Sequence, residues 1–424
     1  MNFLYTIGIY LYWFSINIAA FFNPKAKLFK EGRIALLERI RSEVSPNTGN
    51  IIWVHCSSVG EFEQARPIIE WIKINWPEYK ILITFFSPSG YELRKNYDKA
   101  DWVYYMPIDT PKNAKCFIAA VKPVKAIFIK YEFWYNYLMT LKSNGIETYI
   151  VSAIFRPSQI FFKWYGFFFK KMLHCFTTLF VQDKASAELL QGIGISGNVV
   201  VSGDTRFDRV DAIASKSKDL PLVKSFAEDA FTMVAGSSWQ PDEVIIADVL
   251  KNFSKAKVIL VPHEIDDAHI NSIVELFAKY KIVKYTSLLQ EGKSDNELLA
   301  DEAVVKLLKD SNVLIINTIG MLSSIYKYGN CAYIGGGFGV GIHNILEPAT
   351  YGLPVVFGPN YHKFKEARDL IKLGGAFPIR ADKELYNILT DFVKDKNSIK
   401  SAGEISRKYV ETNLGATGIV TSYL

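Results

Sequence analysis

CAYIGGGFGVGIHNILEPATYGLPVVFGP, residues 331–359, decides how the rest of the chain is read. A short apolar run, Cys331 to Ile334, stops at Gly335-Gly336-Gly337 and passes through Gly339 and Gly341. The chain restarts at Asn344 as an expected helix and yields to a second apolar run at 354–357. The order is strand, glycine turn, helix, strand. Glycines let backbone N–H groups approach a ligand closely, and an Asn at a helix start leaves N–H groups and the positive end of the dipole facing the same space, which suits a phosphate. Glu347 and Pro348 lie about one turn into that helix, so the carboxylate is expected to point back toward the turn, where a ribose diol is an apt partner. The same residues also describe a tight strand-to-helix turn with a solvated Glu. His343-Asn344 and Glu347-Pro348 are more than such a turn needs.

At 424 residues the chain is too long for one ordinary core, and two domains of about 200 residues each are expected. Hydrophobic residues make up 49% of it, which excludes a disordered chain. Cys56, Cys116, Cys175 and Cys331 are scattered without metal-ligand spacing, so neither a disulfide framework nor a zinc site is indicated. They read as reduced thiols, which favours the cytoplasm. A net charge of +6 is mild for this size, and no nucleic-acid partner is expected.

No charged residue precedes Lys25, and the run at 3–22 (FLYTIGIYLYWFSINIAAFF) is long enough to cross a bilayer core of ~30 Å as a helix, or to lie within the interface. Asn2, Tyr5, Tyr10, Tyr12, Trp13 and Asn17 make it less oily than a plain Leu/Ile span, and aromatic residues of this kind prefer the headgroup level. Without a basic segment ahead of it, the run does not read as a cleaved signal peptide. Lys25, Lys27, Lys30 and Arg33 follow at once and keep the remainder of the chain on the cytoplasmic side. Residues 1–24 are therefore expected to be a retained membrane anchor.

Beyond a basic connector at 28–41, short apolar runs alternate with helix-length amphipathic segments. In the first half the runs are 51–55, 81–86, 102–106, 126–129, 148–151, 178–181 and 199–201, with segments such as 63–76, 111–121 and 135–144 between them. The polar stretch 211–229 is the expected linker. The pattern begins again at 231–235, 258–261, 281–285, 313–316, 331–334, 355–357 and 376–379, and 383–409 is expected to be mostly helical. Such alternation signals βαβ units with helices on both faces of a parallel sheet. The expected fold class is α/β: two Rossmann-like doubly wound domains, 25–215 and 216–424, facing a central cleft at the carboxyl ends of the strands, where ligands of such folds bind.

One segment departs from this pattern. Residues 155–176 (FRPSQIFFKWYGFFFKKMLHCF) hold nine aromatic and four basic residues and no acid. An aromatic core helix is one reading. Lys163, Lys170 and Lys171 interrupt every apolar face, however, and burying them unpaired costs several kcal/mol each. A surface that dips rings into headgroups while Lys and Arg meet anionic groups explains both features.

Cys56-Ser57-Ser58-Val59-Gly60-Glu61 is the turn after the strand at 51–55, so Glu61 is expected at a sheet's carboxyl edge, near a helix start. A Glu there complements the helix dipole. As a functional residue it is a general base facing the other domain, able to take a proton from an attacking hydroxyl. Glu132 in KYEFWYN, and Arg206 with Asp204 in GDTRFD, are further candidates at strand ends. Arg206 suits bidentate contact with an anionic substrate, and each of these groups also suits an interdomain salt bridge.

Taken together, WVHCSSVGEFEQARPII, KYEFWYN, GDTRFDRV, GSSWQPDE and GGGFGVGIHNILEPATYGLPVVFGP resemble the 3-deoxy-D-manno-octulosonic acid (Kdo) transferases. These are GT-B glycosyltransferases that move Kdo from CMP-Kdo onto the lipid A precursor, lipid IVA, of lipopolysaccharide. The resemblance spans nearly the whole chain, and the SVGE and HNxxEP stretches carry most of it. It implies that Glu61 is the catalytic base and that Glu132 and Arg206 stabilise the transition state. It further implies that the second domain holds CMP through Pro262, His263, Gly320, Met321, Leu322, Asn344, Ile345, Leu346 and Glu347. Two places depart from the family pattern. Pro262-His263-Glu264 stands where many members have Pro-Arg-His-Pro-Glu, and Gly320-Met321-Leu322 where many have Gly-Glu-Leu.

The chemistry agrees with the resemblance. CMP leaves as a phosphate monoester of low basicity, so departure needs charge stabilisation more than a strong acid. In-line attack predicts inversion at the anomeric carbon. With no Asp-x-Asp clamp in a site position, metal-independent chemistry without a cofactor is expected, CMP-Kdo being the donor substrate. A lipid acceptor fits the cytoplasmic face of the inner membrane, with residues 3–22 as anchor and the lipid surface as partner. The competing readings are a UDP-sugar enzyme of the same architecture, such as a lipid A disaccharide synthase-like transferase or a UDP-sugar 2-epimerase, and a catalytically silent membrane-surface adaptor.

Overall fold

The computed structural model describes residues 2–47, 49–253 and 256–424. Among these residues, every apolar run expected to be a strand is one, and the strands form two parallel seven-stranded sheets. The first sheet contains β1 (Ile51–Cys56), β2 (Lys80–Phe85), β3 (Trp102–Tyr105), β4 (Pro123–Ile129), β5 (Glu147–Ala153), β6 (Thr178–Val181) and β7 (Val199–Val201), in the spatial order β3-β2-β1-β4-β5-β6-β7. The second contains β8 (Thr232–Ser238), β9 (Lys257–Pro262), β10 (Ile282–Lys284), β11 (Val313–Ile315), β12 (Cys331–Ile334), β13 (Val355–Phe357) and β14 (Ala376–Pro378), in the order β10-β11-β9-β8-β12-β13-β14. Helices cover both faces of the central strands, so IIWVHC in β1 is buried at every position and reads as a continuous run instead of an alternating one.

In each sheet the chain first fills one side of its first strand, with β11 inserted between β9 and β10 in the second sheet, and then crosses to the other side. The reversal falls between β1 and β4 in the first sheet and between β8 and β12 in the second. Doubly wound folds bind ligands at this point, outside the strand carboxyl ends.

The chain divides into Met1–Arg209 with Leu414–Leu424, and Val210–Asn413. This differs from a boundary after residue 215: the division lies inside the helix Thr205–Ser215, and the C-terminal segment returns to the first unit. Val420 is buried with Ile52, Val54 and Phe62. Asp208 caps the last helix, Ala416–Thr421, by accepting from the N–H groups of Gly415 at 2.7 Å and Thr417 at 2.6 Å. The expected linker at 211–229 is also structured. It holds the end of the helix Thr205–Ser215 and the helix Pro221–Ala227, which buries Leu222, Val223 and Phe226, a helical stripe that neighbouring charges obscure in the sequence.

Asn2–Ala19 form an 18-residue helix. Among the described residues no helix is long and apolar enough to cross a membrane, so the crossing alternative for residues 3–22 is set aside. Such a helix rises about 27 Å, and its tyrosines, Ser15 and Asn17 dilute its apolar character. One side lies on the first unit: the Tyr5 hydroxyl donates to Asp109 Oδ2 at 2.7 Å, and the Tyr12 ring stacks on Phe86. The other side exposes Phe3, Leu4, Leu11 and Phe14. The aromatic segment 155–176 divides in a similar way. Phe155, Phe161, Phe168 and Phe176 are buried, as the core reading expects, whereas Trp164 is 93% exposed and Tyr165 and Phe167 also face outward, as the surface reading expects.

Candidate active site

In the first unit, β1 runs into Ser57-Ser58, which lead into the helix Val59–Asn75. Glu61 stands in the first turn, and its Oε2 accepts from the N–H groups of Ser57 at 2.5 Å and Ser58 at 3.1 Å. Those are donors that a helix start leaves over, so the carboxylate caps its own helix. These two bonds use one of its two oxygens. Burial and then the charge of Glu132 push Glu61 up to about 7, against the pull of the two N–H groups and Lys130. A carboxylate held there changes charge near neutrality, as a general base must.

After β4, Lys130 takes a left-handed φ of 66°, a conformation that costs a non-glycine residue on the order of 1–3 kcal/mol and recurs at functional sites. Glu132 follows, 5% exposed. Its Oε2 lies 3.0 Å from His55 Nε2 and accepts from Trp134 Nε1 at 2.5 Å, and the Ser57 side chain adds a further bond. Burial opposes the charge of Glu132, yet its partners, His55 foremost and then Ser57 and Trp134, hold it below the ordinary carboxylate value. Glu61 and Glu132 come together because the turns carrying them leave adjacent strands at the reversal. Their environments push their pKa values apart, which separates the roles of two like groups.

Arg206 opens the helix Thr205–Ser215, and buried Asp204 holds it. Asp204 Oδ2 accepts from Arg206 Nε and from a terminal guanidinium nitrogen, both at 2.9 Å, while Asp204 Oδ1 accepts from Gln64 Nε2 at 2.9 Å. Burial works against the Asp204 charge, but Arg206 keeps its pKa below the usual value. Tyr131 feels the charges of Arg206, Glu61 and Asp204 together. The first unit thus gathers Glu61, Glu132 and Arg206 around the Tyr131-Glu132 turn.

The second unit is built differently. A Cβ at Gly335 would lie 2.1 Å from the Ser237 carbonyl oxygen, one at Gly337 would lie 2.5 Å from the Gly358 nitrogen, and Gly336 has a φ of +86°. Gly335 donates its N–H to Gly236 O at 3.0 Å, Gly336 to Asp242 Oδ2 at 2.9 Å, and Gly339 and Gly341 to Gly336 O. Packing therefore accounts for these glycines, and the tight-turn reading describes them better than a phosphate cradle does. The helix expected from Asn344 is short, Leu346–Thr350. Asn344 Oδ1 accepts from the Leu346 N–H at 3.1 Å, and its Nδ2 donates to Glu347 Oε1 at 3.0 Å, so the Glu347 carboxylate does turn back toward Asn344.

Beside this turn three rings stack. Trp239 and His263 lie 4.6 Å apart and His263 and His343 4.5 Å apart, and Trp239 Nε1 donates to His343 Nε2 at 3.2 Å. That bond needs His343 Nε2 unprotonated, and burial, followed by His263, holds His343 below the ordinary histidine value. Leu322 and Tyr326 press on Gly236 at the end of β8, and Tyr326 is near enough to Glu347 to feel its charge. The unit thereby brings Pro262, His263, Leu322, Asn344 and Glu347 to the carboxyl ends of β8, β9 and β12. Gly320 and Met321 immediately precede the one-turn helix Leu322–Ile325, and Ile345 and Leu346 are buried. His55, Thr84 and Trp134 escaped the sequence reading. The one signal for His55 was a polar residue inside an otherwise apolar run.

Two doubly wound units, each a parallel seven-stranded sheet, have the architecture of the GT-B fold. The family model for 3-deoxy-D-manno-octulosonic-acid transferase (kdotransferase) matches residues 32–209. The chain is 29% identical over 376 residues to the 3-deoxy-D-manno-octulosonic acid transferase of Aquifex aeolicus, spanning 86% of this chain and 93% of that one. It is 25% identical over 379 residues to that of Chlamydia muridarum, spanning 84% and 83%. Among solved structures, the UDP-GlcNAc 2-epimerase from Neisseria meningitidis bound to UDP-GlcNAc superposes with a TM-score of 0.59 at 13% identity, covering 88% of this chain and 98% of that one. MurG from Acinetobacter baumannii superposes with 0.55 at 10% identity and the same coverage. At those identities the likeness is one of fold alone. What the chain resembles over most of its length is therefore the 3-deoxy-D-manno-octulosonic acid transferases, with the family model itself matching residues 32–209.

Proposed function

We propose that this protein transfers Kdo from CMP-Kdo to a sugar hydroxyl of the lipid A precursor lipid IVA in lipopolysaccharide synthesis, with inversion and without a metal. The observation that carries this reading is Glu61, pushed up to about 7 beside a Glu132 that is kept ionised. Glu61 takes the proton of the acceptor hydroxyl as its oxygen bonds to the anomeric carbon of Kdo. The bond from that carbon to the CMP phosphate oxygen breaks, and its electron pair leaves with CMP. A base so placed contributes ~10²–10⁴ in rate. The Glu132 anion faces the positive charge growing on the sugar, and Arg206 the negative charge growing on the phosphate.

CMP is held in the second unit by Pro262, His263, Gly320, Met321, Leu322 and the 344–347 segment. The N-terminal helix lies in the plane of the inner membrane's cytoplasmic face. Its exposed Phe3, Leu4, Leu11 and Phe14, with Trp164, Tyr165 and Phe167, favour that placement, and the contact between Tyr5 and Phe168 makes the helix and the aromatic segment neighbours.

The test is to incubate the protein with CMP-Kdo and a tetraacylated lipid A precursor in EDTA and weigh the products. A gain of one or more Kdo masses is expected; no gain, where a control enzyme works, overturns the assignment. CMP, and not UDP, should raise the melting temperature. The reverse result would favour a UDP-sugar enzyme.

A further inference from the structure

We propose that Trp53, Thr84 and His55 form a one-way hydrogen-bond relay that fixes His55 as its Nε2–H tautomer and thereby keeps Glu132 an anion. They are positioning residues, and the proposal rests on the reading of Glu61 as base only for its consequence on rate.

The direction of the relay follows from donor and acceptor capacity. The indole of Trp53 can only donate, and its Nε1 lies 2.8 Å from Thr84 Oγ1. The Thr84 oxygen is thus an acceptor in that bond and retains its own hydrogen. Its other partner among the described residues is His55 Nδ1, also at 2.8 Å. Trp53, His55 and Thr84 are all fully buried, so a hydroxyl hydrogen not given to His55 would be stranded. If Nδ1 accepts that hydrogen, the single proton of a neutral imidazole sits on Nε2, which donates to Glu132 Oε2 at 3.0 Å. Strand pairing supplies the geometry: β1 and β2 pair in parallel with His55 opposite Thr84, and Trp53 lies two residues before His55 on the same face.

The alternatives have a common cost. With the proton on Nδ1, donated to the Thr84 carbonyl at 3.1 Å, a lone pair would face Glu132 and the carboxyl would have to take up a proton. With both nitrogens protonated, an imidazolium would offset the carboxylate. Either state removes one net negative charge from beside Glu61. The other titratable groups facing Glu61 are Lys130, Cys56 and Tyr131, with Arg206 and Asp204 reaching Tyr131 and Glu63 reaching Cys56. Burial keeps Cys56 and Tyr131 neutral, and Lys130 works in the opposite sense, so Glu132 is the group whose charge poises the base.

The direct test is nitrogen-15 NMR of the histidine rings in the full-length protein in micelles, with the His55 signal assigned by its loss in His55→Gln. A neutral Nε2–H ring at pH 8 is expected; an Nδ1–H or doubly protonated ring overturns the relay. The second test is the pH profile of transfer. Thr84→Val should move the acid limb down by about one pH unit, because Glu61 loses a neighbouring negative charge, while Thr84→Ser retains the hydroxyl and the limb. A folded Thr84→Val protein with an unmoved limb also overturns it. A Glu61→Gln protein that kept transferring would remove the base reading and leave the tautomer result standing.

Discussion

In the first unit the strand reversal between β1 and β4 is filled by side chains: Glu61, Glu132, His55, Trp134 and, close by, the pair Asp204 and Arg206. In the second unit the reversal between β8 and β12 is filled by backbone, with Gly335 and Gly337 pressed on neighbouring main chain and Asp242 tying down the Gly336 N–H. The same topological position is used in two ways. A side-chain network tunes charge, because each donor added to or taken from a carboxylate moves its proton affinity. A backbone turn sets shape, and its energetics reside in close packing. Single substitutions should therefore grade the chemistry in the first unit and the stability in the second.

The sharpest test of that contrast is Glu61→Gln, which should lower kcat by ~10²–10⁴ while the melting temperature hardly moves. An active Glu61→Gln protein would break the comparison at its root. In the second unit, Gly335→Ala should do the opposite. A Cβ there meets the Ser237 carbonyl at 2.1 Å, and the backbone shift needed to accept it costs about 1–3 kcal/mol or more. Thermal unfolding should register the loss, and an unchanged melting temperature would show that the turn is looser than its packing.

The pH dependence sharpens the first half of the contrast. With Glu61 pushed up to about 7, kcat/KM should fall about tenfold for each pH unit below that point. The stability sign is the reverse: between the ordinary carboxylate value near ~4.3 and about 7, the folded protein keeps a proton that the unfolded chain has lost. Glu61 therefore contributes less to stability as pH rises through that window, which denaturant titrations at two pH values can measure. Asp204→Asn should release Arg206 and lower kcat/KM by roughly tenfold, the worth of one charge-assisted bond. The smallest effect is expected from Tyr5→Phe. It removes the bond to Asp109 and should cost ~1 kcal/mol in unfolding free energy without changing kcat.

Much of the fold was legible because hydrophobic periodicity is local. Each expected strand appears where its apolar run stands, and Glu61 sits at a strand end because the turn CSSVGE follows IIWVHC directly. The misreadings occurred where a local signal was outvoted at a distance. The stretch 211–229 looked like a linker, but Leu222, Val223 and Phe226 find a core to enter. The helix expected from Asn344 shrank to Leu346–Thr350 as the 335–341 turn packed against neighbouring backbone. The C-terminal helix returns to the first unit because Asp208 caps it and Val420 fills that unit's core.

The sequence by itself determined the two α/β units, the residues beside each strand end and the family resemblance, since all of these depend on order along the chain. Only the tertiary structure decided which proton goes where. His55 meets Thr84 through the pairing of β1 with β2, and it meets Glu132 because β4 lies on the other side of β1. Charge and hydrogen-bond direction depend on distances between residues far apart in the chain, and those distances exist only once the sheet has formed.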